Sequence, residues 1–237
     1  MTKTMLDHGA AEAAATNFDA AKPFPWARFE GLLQESAYEQ LHADFPAVEL
    51  FQLHQNLARE HDQRPHDRYY LSLEESDYRV LPGEPGCARL RDLPESWQNF
   101  IAELRGREYG DFITGLLGCE TFHLRFAWHM ATAGNEVSPH CDSIRRYGTQ
   151  LFYFNDADWQ EEWGGQTWLL ADRQTERLDP GIDDFGERVA APLGSNVSVL
   201  FKNGDEHWHG VAPLECPPDR MRRLFLVDVH LREPAWK

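Results

Sequence analysis

The chain predicts a mainly β fold, a barrel or sandwich buttressed on one side by helices, and three observations carry that expectation. Apolar residues recur at helical spacing up to Gly118 and at extended spacing beyond it. The downstream half breaks into short apolar runs separated by turn residues. With 237 residues and 42% hydrophobic content, the chain is long enough to bury one substantial core, so a single domain is the default.

Taken in order, residues 1–22 are alanine-rich and broken by polar side chains, with no apolar stripe wide enough to dock. A mobile leader is the expectation there. Ordered structure is expected from Pro23-Phe24-Pro25-Trp26, in one domain spanning 23–237. Between Gln34 and Phe45 the positions Tyr38, Leu41 and Phe45 share a helical face, and Pro46 closes the helix. The charged run Arg59–Arg68 reads as a solvated loop able to cover a ligand. Two further helices follow, one presenting Trp97, Phe100, Ile101 and Leu104, the next Phe112, Ile113, Leu116 and Leu117, with Gly118 as the stop. Strands are then expected at Glu120–Met130, Gly148–Asn155, Gln166–Ala171, Asn196–Lys202, His209–Leu214 and Arg222–Leu231. The acidic, turn-rich stretch 172–190 reads as an excursion between strands. Helical support therefore falls mainly in 23–118 and the β core mainly in 119–231.

Charge narrows the function classes. A net charge of −16 disfavours attraction to nucleic acid or to anionic membranes, both of which need clustered Lys and Arg. Cys87, Cys119, Cys141 and Cys216 show neither CxxC nor zinc-finger spacing, which fits a reducing cytoplasm. No stretch of about eighteen apolar residues suggests a membrane span.

The chemistry is concentrated in Ser138-Pro139-His140-Cys141-Asp142 and His207-Trp208-His209-Gly210-Val211. On an extended strand end, positions two apart project to one side, so His140 and Asp142 can share one ion. A histidine from a distant strand completes a face of two imidazoles and one carboxylate, the donor set of non-haem Fe(II) oxygenases. His207 and His209 are both placed to be that third ligand.

Together with Tyr153-Phe154-Asn155, Asp158-Trp159, Gly164-Gly165, His209-Gly210-Val211 and Arg222-Arg223, the His140-Cys141-Asp142 tripeptide resembles the iron(II)- and 2-oxoglutarate-dependent dioxygenases, in their prolyl-hydroxylase-like branch. The match covers roughly residues 121 to 231. The resemblance implies a double-stranded β-helix, or jelly roll, with Fe(II), 2-oxoglutarate and O2 as cofactor and co-substrates and ascorbate as a reductant. It favours His209 over His207 and assigns His140, Asp142 and His209 both the metal and the catalysis. It also implies an arginine for the distal carboxylate of 2-oxoglutarate, with Tyr153 meeting the same carboxylate, and strand alternation puts Thr149 on the Tyr153 face to line the same pocket. Face alternation on the last strand favours Arg223, because an uninterrupted apolar row makes the more natural barrel interior, whereas the family pattern favours Arg222. Arg145 and Arg146 lie in the loop after Asp142, suited either to an acidic substrate group or to solvent. The implied reaction is hydroxylation of an unactivated C–H bond with release of succinate and CO2. Asp142 supports this, since related halogenases carry a small residue there. The substrate is a small molecule or a residue of a protein or peptide. Two other readings share the donor set: a metal-binding, cupin-like sensing module without turnover, and a zinc hydrolase.

Overall fold

The computed structural model of the protein describes residues 4–57 and 64–231. In chain order these form α1 (His8–Ala15), β1 (Trp26–Glu30), α2 (Glu35–Ala43), β2 (Gln52–Leu57), β3 (His66–Leu73), β4 (Cys87–Ala88), α3 (Glu95–Leu104) and α4 (Arg107–Leu117). The strand-rich part continues with β5 (Phe122–Ala131), β6 (Val137–His140), β7 (Arg146–Tyr153), β8 (Thr167–Arg173), β9 (Phe185–Ala191), β10 (Val197–Lys202), β11 (Trp208–Val211) and β12 (Arg222–Leu231).

The strands make two sheets. The larger runs β1-β10-β7-β12-β5-β3-β2 with β4 beside β3, and the smaller runs β6-β11-β8-β9. Only the β3–β4 pair is parallel among these pairings. Residues of both sheets line one shared cavity, the arrangement of a jelly roll.

The helices cover the outer face of the larger sheet. Trp97, Phe100, Ile101 and Leu104 of α3 and Tyr109, Ile113 and Leu117 of α4 share a core with Phe126, Trp128, Phe152, Phe225, Val227 and Val229. The Trp97 ring sits 5.2 Å from Trp128, 5.0 Å from Phe225 and 5.3 Å from Phe154, with edge or tilted geometry. Gly118 ends α4 in the left-handed conformation at φ 68°, where a side chain would be strained. On the inner face, a smaller cluster of Phe24, Leu151, Tyr153, Leu169, Val199, Phe201 and Leu224 joins the two sheets.

β12 shows how the two faces are chosen, and it corrects the expectation for Arg223. Both faces are buried, so the all-apolar row Phe225, Val227 and Val229 goes to the helices. The mixed row Arg222, Leu224, Leu226 and Asp228 is left to line the cavity. Arg223 therefore points away from the cavity, its guanidinium 3.3 Å from Asp156 and stacked 6.0 Å from the Phe45 ring.

Three other expectations change. The leader is packed where it is described: Leu6, Ala11 and Phe18 join the main core, and the Met5 and Leu6 amides donate to the Glu103 carboxylate at 2.8 and 2.9 Å. Few but fully buried anchors do what a continuous apolar stripe would otherwise do. Within the run 59–68, residues 59–63 lie outside the described residues, while His66, Asp67 and Arg68 belong to β3 rather than to a loop. The excursion 172–190 contains β9, whose polar sequence suits the edge position it takes beside β8. Phe18 is 2% exposed; Phe18→Ala is expected to lower unfolding free energy by about 3–5 kcal/mol in urea titration. A change under about 0.5 kcal/mol would show that this segment does not contribute to the core.

Candidate metal and co-substrate site

Two backbone features bring the three candidate ligands together. β11 pairs with β6 so that His209 lies directly opposite His140. At Gly210 the strands approach so closely that a Cβ would stand 2.7 Å from the Val137 carbonyl oxygen and 3.2 Å from the Pro139 nitrogen. Glycine after His209 is thus a packing requirement, which gives His209-Gly210-Val211 its physical sense.

The Nε2 atoms of His140 and His209 lie 3.8 and 3.7 Å from the Asp142 carboxylate oxygens, too far for hydrogen bonds. All three donor atoms fall within 4.8 Å of one another. His140 Nδ1 lies 3.0 Å from the Ser138 carbonyl oxygen. A carbonyl only accepts, so Nδ1 carries the proton and the Nε2 lone pair faces the centre of the triad. Donors two to three ångströms from a shared point would stand about 3 Å or more apart, and this set needs only a small contraction to hold an ion at about 2.1 Å. The residues therefore fit a divalent metal. His207 does not join them: its ring stacks on Phe24 at 4.4 Å and its Nδ1 lies 2.8 Å from the Lys202 carbonyl oxygen.

Electrostatics keep the set in its ligating form. Burial pushes the His140 imidazole down to about 3, helped by the neighbouring His209 and opposed by Asp142. Burial also depresses His209, against the pull of Asp142. Burial alone would raise the Asp142 carboxyl, but Arg146 and the two imidazoles outweigh it and hold the group well below the usual carboxylate range.

Arg146 is the residue that the sequence leaves undecided. Its Nη1 lies 2.9 Å from Asp142 Oδ1 and its Nη2 lies 3.2 Å from Asp228 Oδ2, so one guanidinium clamps two carboxylates. Thr149 donates to Asp228 Oδ1 at 3.0 Å and stands 3.4 Å from Asp142 Oδ2. Thr149 thus sits beside the candidate metal ligands rather than at the arginine end of the cavity. Burial raises the Asp228 carboxyl, with Arg146 opposing. The placement of Asp228 on the Arg222 face was readable from strand alternation. Nothing in the spacing of Asp142 and Arg146, four residues apart without a helix, signals their pairing.

The arginine end lies on the same sheet face, six residues along β12. Arg222 is 6% exposed, its Nε donates to the Gly165 carbonyl oxygen at 2.7 Å, and its guanidinium lies 5.4 Å from the Tyr153 ring centroid. Among the described residues no carboxylate stands within ion-pair distance of it. Burial pushes this guanidinium down, with Tyr153 opposing. The Gly164-Gly165 pair makes the room: both have positive φ, and a Cβ on Gly165 would meet Arg222 Cδ at 3.0 Å. Tyr153 supports this end from beneath, its hydroxyl 2.7 Å from Thr167 Oγ1. Arg220 is committed elsewhere, to Asp156 and Asp158. A buried guanidinium with no internal counter-ion suits a small dianion reaching from the metal side, across Leu151, Leu224 and Leu226.

The cavity holding both ends measures about 330 Å3, at the small end of the range of ~300–1,000 Å3 for ligand sites. If the clamp secures Asp142, Asp228→Asn is expected to weaken Co(II) binding by about 10–100-fold in calorimetric titration at pH 7. His207→Ala is expected to leave it within about twofold. Equal effects from the two substitutions would contradict the clamp.

Residues 126–227 match the family model described as the 2OG-Fe(II) oxygenase superfamily. Among solved structures, a prolyl-4-hydroxylase of Pseudomonas putida superposes with a TM-score of 0.61 at 18% identity, over 94% of this chain and 100% of that one. A Trichoplax adhaerens prolyl hydroxylase, in complex with a peptide fragment of the hypoxia inducible factor oxygen degradation domain, gives 0.59 at 15% identity, over 93% and 88%. The non-haem α-ketoglutarate-dependent epimerase SnoN of nogalamycin biosynthesis gives 0.59 at 13% identity, over 95% and 84%. No curated protein matches the sequence. The matched segment contains His140, Asp142, His209 and Arg222 on a jelly-roll frame, so this part of the chain is similar to the 2OG-Fe(II) oxygenase superfamily, a likeness that implies Fe(II), 2-oxoglutarate and O2.

Proposed function

We propose that the protein is a hydroxylase that inserts one oxygen atom into an unactivated C–H bond of a small molecule or peptide residue, releasing succinate and CO2. Arg222 is the observation that carries this reading. A sensing module or a hydrolase without an anionic ligand would leave this guanidinium buried and unpaired, whereas 2-oxoglutarate supplies its counter-charge.

In this reading His140, Asp142 and His209 hold Fe(II). The iron, with 2-oxoglutarate and O2, supplies the oxidising chemistry. The chain supplies position and polarity. Arg222 takes the distal carboxylate of 2-oxoglutarate as a planar fork, and Leu151, Leu224 and Leu226 flank its carbon chain. Arg146 keeps Asp142 deprotonated and fixed in orientation, and Asp228 and Thr149 fix Arg146 in turn. The depressed imidazoles stay neutral, so their lone pairs remain available to metal across the physiological range. A small, half-enclosed cavity limits water around the target bond. The four cysteines are free thiols, which suits a reducing cytoplasm.

Adding 2-oxoglutarate to anaerobic Fe(II)-loaded protein is expected to produce a weak visible charge-transfer band, and oxygen is then expected to yield succinate. Ascorbate in the assay keeps the iron reduced. Arg222→Met is expected to raise the 2-oxoglutarate Kd by about 30-fold or more, whereas Arg223→Met leaves it within about twofold. No band and no succinate from the unsubstituted protein would sink the oxygenase reading, and a larger effect from Arg223→Met would move the anchor.

A further inference from the structure

We infer that the substrate is a small organic acid whose anionic group pairs with Arg68 on the wall of the cavity opposite the co-substrate. This inference rests on the oxygenase reading of the site and deepens it by naming the substrate class.

The wall is set by strand pairing. On the cavity face of the larger sheet, β5 lies between β12 and β3, with Arg222 opposite Ala131, Leu224 opposite His129 and His129 opposite Tyr70. Alternation along β3 puts Arg68 on the same face as Tyr70, and both line the cavity with Asp77, Tyr78, Ala127 and His129. Ala127 is a small residue lining the cavity between the two ends, and Ala131 shares its strand face. The short side chain of Ala127 leaves open space between the co-substrate side, on β12 and β7, and the Arg68 side, on β3.

Arg68 is held but not neutralised. Its Nη2 lies 2.6 Å from the Tyr78 hydroxyl, and its guanidinium lies 5.1 Å from the Tyr70 ring centroid. These contacts fix its plane, and no carboxylate of a described residue comes within ion-pair distance. Its Nε is buried without a hydrogen-bond partner. Apart from Arg222, which the co-substrate would pair, the other charges lining the cavity have partners. Arg146 is shared by Asp142 and Asp228, and Asp77 receives Arg125 Nη2 at 2.7 Å. With Fe(II) and dianionic 2-oxoglutarate in place, the metal, Arg146 and Arg222 balance Asp142, Asp228 and the two co-substrate carboxylates charge for charge. Among the described residues lining the cavity, Arg68 is then the one cation left over, its plane oriented by two tyrosines. That arrangement selects an acid over its neutral analogue, because a planar guanidinium matches a carboxylate fork and repays little when offered an amide. A cavity of about 330 Å3 that must also hold 2-oxoglutarate leaves room for a small acid.

The test uses two probes of one shape, 3-phenylpropanoate and 3-phenylpropanamide, titrated by calorimetry into full-length protein loaded anaerobically with Fe(II) and 2-oxoglutarate. The acid is expected to bind at least about tenfold more tightly than the amide. Arg68→Gln is expected to erase that preference, and Arg68→Lys, which keeps the charge, to retain part of it. The 2-oxoglutarate affinity read from the charge-transfer band is expected to stay within about twofold in both variants. No acid preference in the unsubstituted protein, or a preference that survives Arg68→Gln, would overturn the proposal. Loss of 2-oxoglutarate affinity in Arg68→Gln and Arg68→Lys alike would also overturn it, by placing Arg68 in the co-substrate subsite. Absence of the charge-transfer band from unsubstituted protein would strike the oxygenase reading instead, and the acid-to-amide ratio, read calorimetrically, remains a separate measurement.

Discussion

The site depends on the close approach of β11 to β6. Without a side chain at Gly210 the two strands come near enough for His209 to stand opposite His140, and both imidazoles then face the carboxylate two residues beyond. Any Cβ at that point would collide with the Val137 carbonyl, and the strands would have to separate. A shift of an ångström would spoil a three-point metal site, because coordination tolerates only a few tenths of an ångström in distance. The jelly roll supplies the rigidity for this: the smaller sheet carries the two histidines, and the larger sheet carries the arginines and aspartate that orient the rest.

The larger sheet carries two tasks on opposite faces. Its outer face buries Phe225, Val227 and Val229 under α3 and α4, which stabilises the scaffold. Its inner face places Arg222 at one end of β12 and Asp228 at the other, separated by two leucines. That row is a scale for a short dianion, with a cation at the far end and the Asp142–Arg146–Asp228 clamp at the metal end. Leaving Arg222 buried without an internal carboxylate costs stability, and the site keeps that cost because the ligand relieves it.

Much of this was legible in the sequence, and what was not has physical causes. Pro46 and Gly118 close helices in the way their backbone preferences demand. His140, Asp142 and His209 converge as a ligand spacing on strands suggests, and both glycines of the Gly164-Gly165 motif take positive φ. The last strand was divided correctly into two faces, but its apolar face turned outward because helices, not the cavity, offer the larger apolar partner. That reversal moves attention from Arg223 to Arg222. Other features have no local signature. Arg146 reaches Asp142 only because the loop folds back. Arg68 joins the cavity through cross-strand pairing with distant β5. Residues 4–20 dock by isolated anchors such as Leu6 and Phe18, which periodicity cannot detect.

Anomalous X-ray scattering at the iron edge from anaerobically Fe(II)-loaded crystals would locate an ion held by His140, Asp142 and His209. A single strong peak is expected about 2.1 Å from both Nε2 atoms and from one Asp142 oxygen. A peak on His207, or no peak near Asp142 in protein shown to contain stoichiometric iron, would contradict that ligand set.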